Sequence, residues 1–360
     1  MSKKKQTVVV TLIASSLLLS GCGLFGGEEQ AQVDPPQDVT YTDEEEVLQE
    51  WDAGNPGEEE GADQEGEAAD TTLQTLYLID NDGFVVPQTV EMPITNSVAQ
   101  QALDYLVAGG PITQELPEGF RAVLPEGTVS SIDVNEGVAT VDFSTEFTQY
   151  MEEDEKRIVQ AVTWTLTEFD SIDRVKFTVN GNEQTEMPVA SFPLDDAGMS
   201  RADGINLDSR SFADITGTSQ VTVYYLGQND EGQYYQVPVT TRIDKSLDPV
   251  TATIAKLVEG PAYTSSNLVS EFLTDVELVE APIVEDGLVT LNFNEALLAG
   301  NEEGVLSSRM LQSIVLSLTE QKSIKEVSIQ VAGESEFVNE NGESVAEPVS
   351  RPENVNTSGV

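Results

Sequence analysis

The chain has 360 residues, 64 of them Asp or Glu against 17 Lys or Arg, with no histidine, one cysteine and a formal net charge of −47. Absence of histidine removes the Ser-His-Asp and Cys-His nucleophiles and the usual zinc ligand sets, and a lone cysteine allows no intrachain disulfide. So negative a surface repels polyanions, and no nucleic-acid partner is expected.

The N-terminus carries a basic stretch, Lys3-Lys4-Lys5, followed by an apolar run from Val8 to Leu19. That run is about a dozen residues long, the size of a signal-peptide core and short of the roughly 20 that a membrane-spanning helix needs. It ends in Leu19-Ser20-Gly21-Cys22, which resembles a bacterial lipobox. Residues 1–21 therefore read as a signal peptide, with Cys22 as the site of lipidation, palmitate included, and the chain anchored extracytoplasmically on the outer face of the cell membrane. Two acyl chains hold a protein stably where one does not.

Residues 22–72 read as an acidic tether. It contains Asp43-Glu44-Glu45-Glu46 and Glu58-Glu59-Glu60, and no Lys or Arg occurs between Lys5 and Arg121. One-signed charge with low hydrophobicity argues for an extended, unstructured segment. The spot Val47-Leu48-Gln49-Glu50-Trp51 is either a short docking motif or an isolated apolar patch. Because acid is spread along the entire chain, it reads first as adaptation to a saline or alkaline habitat, with a basic partner or divalent ions as the other reading.

The remainder is a duplication. Leu106-Val107-Ala108-Gly109-Gly110-Pro111 recurs as Leu257-Val258-Glu259-Gly260-Pro261, and Gly137-Val138-Ala139-Thr140-Val141-Asp142-Phe143 as Gly287-Leu288-Val289-Thr290-Leu291-Asn292-Phe293. Ser171–Val175 matches Ser323–Val327, and the tail Ser200-Arg201 with Ile205-Asn206 matches Ser350-Arg351 with Val355-Asn356. So long a period is a repeated domain, not a solenoid. The domains are expected at 73–206 and 219–356, joined by a linker at 207–218.

In each copy an alternating strand (about Leu73–Ile79 in the first) meets a turn, Asn81-Asp82-Gly83 or Asn229-Asp230-Glu231-Gly232, and a second extended piece. A helix follows, with Ala99, Ala102, Leu103 and Leu106 on one stripe in the first copy and Asp248 as N-cap before Pro249 in the second. Both helices are expected to stop at their Gly-Pro pairs, Gly110-Pro111 and Gly260-Pro261. A hairpin then turns at Gly137 or Gly287. A second helix carries the stripes Val159, Val162, Thr163, Leu166 and Leu311, Ile314, Val315, Leu318, before a closing strand at Arg174–Val179 or Glu326–Val331. The order β-α-β-β-α-β predicts an α+β fold: two tandem modules with helices on one face of a largely antiparallel or mixed sheet.

No Gly-x-Ser-x-Gly or P-loop sequence occurs. Asp142 and Glu146 suggest an acid/base pair, but Asn292 stands where Asp142 recurs, so a turn cap is the better reading. Asp195, Asp196 and Asp203 read as a solvated connector before a calcium site, and no metal or other cofactor is expected. Arg201 and Arg351, repeated in so acidic a chain, read as domain braces forking to a carboxylate ahead of a partner-recognition role. Gly110, Pro111, Gly260 and Pro261 join them as structural or interaction candidates.

The lipobox, the acidic tether and two copies of Leu-Val-x-(Gly)-Gly-Pro, the Gly-x-(Ala/Val)-Thr hairpin and the Ser-Arg tail resemble the GerM sporulation lipoproteins with paired GerMN domains. The resemblance covers nearly all of residues 73–356. The first copy departs from it at Ala202, where the second has Pro352, and in its longer Ala108-Gly109-Gly110 turn. It implies a non-catalytic scaffold for endospore formation: a membrane-held protein that contacts proteins of the channel complex between mother cell and forespore, with a later link to germination. Two other readings stay open, a two-lobed lipoprotein binding a solute or cell-wall fragment, and a carboxylate-based cell-wall hydrolase.

Overall fold

The computed structural model of the protein describes residues 70–208, 217–262, 267–298 and 305–357. The signal peptide, Cys22 and the tether up to residue 69 lie outside the described residues. The first repeat opens on β1 (Thr71–Asp80), two residues earlier than the pattern suggests, and β2 (Val85–Pro93) pairs antiparallel with it. The reversal at Asn81-Asp82-Gly83 needs the left-handed backbone of Gly83, φ +82°. It is closed by Asp80, whose Oδ1 accepts from the Phe84 amide at 2.8 Å.

Next come α1 (Val98–Tyr105), the two-residue β3 (Phe120–Arg121) on the free side of β1, and the hairpin of β4 (Ser130–Asn135) and β5 (Val138–Phe143). Glu136 and Gly137, at φ 49° and 81°, make the two-residue turn whose twist suits a hairpin. Helix α2 (Glu155–Leu166) carries the chain over to β6 (Arg174–Val179), which lies parallel to β5, and β7 (Asn182–Glu183) completes the sheet in the order β4-β5-β6-β7.

The second repeat follows the same plan: β8 (Thr218–Gln228), β9 (Tyr234–Asp244), α3 (Pro249–Glu259), β10 (Ile283–Glu285), β11 (Leu288–Phe293), α4 (Ser308–Thr319), β12 (Glu326–Val331) and β13 (Val349–Ser350). Its sheet runs β10-β11-β12-β13, with β11 and β12 parallel. Asp248 caps α3 by accepting from the Thr251 amide at 2.8 Å, ahead of Pro249. The fold is thus α+β, with a mixed sheet in each of two tandem modules.

Three expectations change. The leading strand of each copy does not join the sheet of the others: a tight turn returns the chain at once, so β1 and β8 are satisfied by β2 and β9 as long hairpins. Helix α1 ends at Tyr105 with Leu106 as its cap, well short of Gly110-Pro111, and the extra residue of that loop lets Pro111 start a short 3-10 turn instead. Only in the second copy does the helix stop at the pair, with Gly260 as C-cap at φ +78°. Within the stretch expected as linker, the Asp208 amide bonds the Thr240 carbonyl on β9 at 2.9 Å, so the chain touches the second repeat there.

Helices α2 and α4 bury more than one stripe. In α2 every residue from Ile158 to Leu166 is buried, Gln160, Thr163 and Thr165 among them. The helix packs on β1, α1 and β6, so its polar side chains are enclosed: Thr165 Oγ1 and Gln160 find internal partners, while Thr163 Oγ1 has none among the described residues. Each repeat has its own core, but Val86 of β2 lies in the core of the second repeat. Both repeats fall within one compact unit. Among the described residues no helix is long and apolar enough to cross a membrane.

Candidate functional site

Arg201 sits on a short 3-10 turn, Arg201–Asp203, fixed by a capping box in which the Ser200 amide donates to Asp203 Oδ2 at 2.7 Å. Its guanidinium lies 4.4 Å from the Trp164 ring centre, donates through Nε to Thr167 Oγ1 at 3.1 Å, and pairs through Nη2 with Glu168 at 2.5 Å. Its other arm leaves the repeat: Nη1 lies 3.1 Å from Oε2 of Glu320. Arg351 reaches the same carboxylate, 2.8 Å from Oε1, and donates to the Tyr224 hydroxyl at 3.0 Å.

Two tyrosines complete the set. Tyr77 on β1 donates to Glu168 and Tyr224 on β8 to Glu320, each at 2.8 Å. Their strands are hung on the helices alike, the Tyr77 amide on Thr165 Oγ1 at 2.9 Å and the Tyr224 amide on Ser317 Oγ at 2.8 Å. Burial alone would push the Glu320 carboxyl up. Arg201, Arg351 and the Tyr224 hydroxyl more than reverse this, and it stays below the usual carboxylate range. Burial and the Glu168 charge hold the Tyr77 hydroxyl well above its ordinary pKa, so it remains a donor.

A second reciprocal contact comes from the tails. Asn206, at φ 47°, accepts from the Val85 amide at 2.9 Å and donates to the carbonyls of Val85 (2.8 Å) and Pro238 (2.7 Å). Asn356, at φ 54°, accepts from the Gln236 amide at 2.7 Å and donates to the carbonyls of Gln236 and Pro87, both at 2.8 Å. Each asparagine thus holds its own hairpin and crosses to the other. Thr89 and Thr240 do the same: the Thr89 amide donates to Val355 O at 3.1 Å, and the Thr240 amide to Ile205 O at 2.9 Å. Pro87 and Pro238 sit where β2 and β9 approach, and edge positions tolerate the missing amide proton.

The remaining candidates lie apart from this contact. The Gly110 backbone is ordinary (φ −81°), but a Cβ there would stand 2.9 Å from Val107 O; Pro111 begins its 3-10 turn. Gly260 caps α3 and Pro261 lines a small recess beside Tyr225 and Leu268. Asp142 Oδ1 accepts from Thr178 Oγ1 and the Gly181 amide, both at 2.7 Å, and Asn292 Oδ1 accepts from the Gly333 amide at 3.0 Å, so both copies use this position as a turn cap. Thr178 first and Gly181 second hold the Asp142 pKa down, the state of a cap and not of a general acid. Among the described residues no three acidic side chains gather at metal-binding spacing.

Glu168, Glu320, the two tyrosine hydroxyls and the paired threonines were not singled out from sequence. A signal existed: shifting by 152 positions, the offset that joins Ser171 to Ser323, lays Glu168 on Glu320 and Thr165 on Ser317. Glu155 is a further buried carboxylate, taking bonds from Tyr150 and the amides of Val189, Ala190 and Phe192 at 2.7–2.8 Å. The same shift brings Ser307 to its place, so this anchor belongs to the first repeat alone.

This is the architecture of a duplicated α+β module whose copies are locked together by side chains from each. The sequence pattern of the family described as "Sporulation and spore germination" matches residues 75–185 and 222–336. The chain is 49% identical to the spore germination protein GerM of Bacillus subtilis, over 99% of both chains. The solved structure of the tandem GerMN domains of the Bacillus subtilis sporulation protein GerM superimposes with a TM-score of 0.75 at 51% identity, covering 80% of this chain and 99% of that one. A stretch of 116 residues, 31% of this chain, is 30% identical to lipoprotein LpqB of Cutibacterium acnes and spans 19% of it. The chain belongs to the Germane family of sporulation and spore germination proteins, with tandem GerMN domains.

Proposed function

We propose that the protein is a membrane-anchored, non-catalytic scaffold lipoprotein of endospore formation. It supports assembly of the channel complex between mother cell and forespore, contacts the proteins of that complex, and acts again in germination. Cys22 carries the lipid that holds it on the outer face of the membrane. One observation carries this reading: the buried carboxylate Glu320 is shared by an arginine from each repeat. Charged side chains that an enzyme would aim into a cleft are here neutralised internally, fixing two repeats as one body with a constant spacing between their outer surfaces. A scaffold needs that constancy; the family description names no catalytic activity.

The test is a deletion strain complemented with the parent chain or with Cys22→Ala. Vegetative growth should be normal in every strain. Spore development should fail in the deletion and under Cys22→Ala, and return with the parent chain, which should capture channel proteins from sporulating cells. Normal spore yield and germination in the deletion strain would refute the proposal.

A further inference from the structure

Two Asn-Gly pairs occur in the chain, Asn180-Gly181 and Asn341-Gly342, and both asparagines are exposed. Such a pair is open to self-modification, because glycine puts no side chain between its amide nitrogen and the preceding carboxamide. The nitrogen can attack Cγ of the asparagine and close a cyclic imide as the side-chain nitrogen leaves. The fold restrains the two pairs differently.

Asn180-Gly181 makes the turn between β6 and β7, with φ of 49° and 73°. It is pinned at three points. The Asn180 amide donates to Phe143 O at 2.9 Å, the Asn180 carbonyl accepts from Asn182 Nδ2 at 3.2 Å, and the Gly181 amide donates to Asp142 Oδ1 at 2.7 Å. The nitrogen that would attack is thus held on a carboxylate. Thr178 first and Gly181 second keep the Asp142 pKa low, so the carboxylate is a poor base and leaves the amide its proton. In the second repeat Ala332-Gly333 stands at this turn, where no carboxamide can react, and the cap is the neutral Asn292, 3.0 Å from the Gly333 amide. The charged cap belongs to the copy that has a reactive residue to restrain.

Asn341-Gly342 has no such guard among the described residues. The Gly342 amide donates to a neutral carbonyl, Asn339 O, at 2.9 Å, and a Cβ at Gly342 would meet nothing within 4 Å. The Asn341 carboxamide has one contact among the described residues, from Nδ2 to Ser308 Oγ at 3.2 Å. Its surroundings give the pair a structural role. The Glu340 amide donates to Leu306 O and the Leu306 amide to Val338 O, both at 3.1 Å, which ties this turn to Leu306, fully buried just before α4.

We propose that Asn341 is a site of spontaneous deamidation and that Asp142 protects Asn180 from the same reaction. At the reactive pair the Gly342 nitrogen gives its proton to hydroxide and bonds to Asn341 Cγ, and the side-chain nitrogen leaves as ammonia, taking a proton from water. Water then opens the imide at either carbonyl, giving aspartate or isoaspartate. Either product sets a carboxylate between Glu340 and Glu343 in sequence and removes the donor to Ser308. Isoaspartate also inserts a methylene into the backbone. The turn that holds Leu306 loosens, and the chain carries an irreversible mark of its age. The inference is independent of the scaffold reading.

The test is to age the full chain at mildly alkaline pH and follow each site by peptide mass spectrometry, separating the aspartate and isoaspartate products. The parent should convert Asn341, with Asn180 slower by about fivefold or more, the weight of a charged over a neutral hydrogen bond on the attacking nitrogen. Asp142→Asn copies the cap of the second repeat, so the fold stands; it should speed conversion of Asn180 about fivefold and leave the rate at Asn341 unchanged. Asn341→Gln should remove the main product. The proposal is overturned if Asn341 stays intact while an unstructured Asn-Gly peptide reacts beside it, or if Asn180 of the parent converts as fast as Asn341. It is overturned equally if Asp142→Asn leaves the rate at Asn180 where it was.

Discussion

Arg201 of the first repeat and Arg351 of the second meet on one carboxylate, Glu320, at 3.1 and 2.8 Å. The sequence-equivalent Glu168 takes Tyr77 and, among the described residues, a single arginine, Arg201. A pseudo-symmetric pair of acids thus carries an asymmetric load, and the Glu320 side chain is 8% exposed against 26% for Glu168.

Replacing Glu320 leaves two half-buried guanidiniums without their shared partner. Glu320→Gln should cost about 3–5 kcal/mol in chemical denaturation, and Glu168→Gln about 1–2 kcal/mol. Arg201→Lys keeps the charge but cannot span both carboxylates while covering Trp164. A double-mutant cycle of Arg201→Lys with Glu320→Gln should give a coupling of about 1–3 kcal/mol. Equal costs for the two glutamates, or additive energies in the cycle, would show that the shared contact has no special weight.

The two asparagines predict matched effects at distant amides. Asn206→Gly keeps the left-handed backbone and removes the side chain, so hydrogen exchange should quicken at Val85, while Asn356→Gly should quicken it at Gln236. Each loses about 1–2 kcal/mol of global stability, and Asn206→Ala costs roughly 1 kcal/mol more through backbone strain. Exchange unchanged at these two amides would remove the asparagines as braces.

Asp80 should make stability fall as pH rises. Burial pushes its carboxyl from 3.8 up to about 6, and the carboxyl is held by the Phe84 amide and by Tyr235 of the second repeat. Between those two values the folded chain binds more protons than the unfolded one, so this contribution declines across that window and is flat above it. Asp80→Asn should abolish the decline, a difference of roughly 2–3 kcal/mol between parent and variant across the window. Glu155 and Glu320, whose pKa values are lowered, act oppositely as pH falls, but they are common to both proteins and cancel in the comparison. Parallel pH profiles would contradict the assignment.

The two Gly-Pro pairs should respond differently. Gly110→Ala drives a Cβ to 2.9 Å from Val107 O and 3.0 Å from Asp104 O, both backbone atoms that cannot yield cheaply. Gly260 has room but a left-handed backbone, with its nearest contact Ser270 Cβ at 3.5 Å. Gly260→Asn should therefore cost less than about 1 kcal/mol and Gly110→Ala more than that, by thermal melting.

Local order was legible because it is written locally. Asp248-Pro249 announced α3, Glu136-Gly137 and Asp286-Gly287 turned their hairpins, and the closing strands fell at Arg174–Val179 and Glu326–Val331 as the alternation required. The failures came where neighbours in space decide. Nothing near Leu106 tells that α1 stops before its Gly-Pro pair, and the stripe on α2 gives no warning that its polar face is enclosed too.

Sequence alone determined the duplication, the order of elements in each copy and the recurrence of an arginine and an asparagine in both tails, since these depend on short-range pattern and direct comparison. Tertiary structure decided what those residues hold. Arg201 and Glu320 are 119 positions apart and Asn356 and Pro87 269; such pairs form only after both hairpins are packed side by side. Burial then determines which of two equivalent glutamates is desolvated between two guanidiniums, a choice that the identical residues at those positions do not contain.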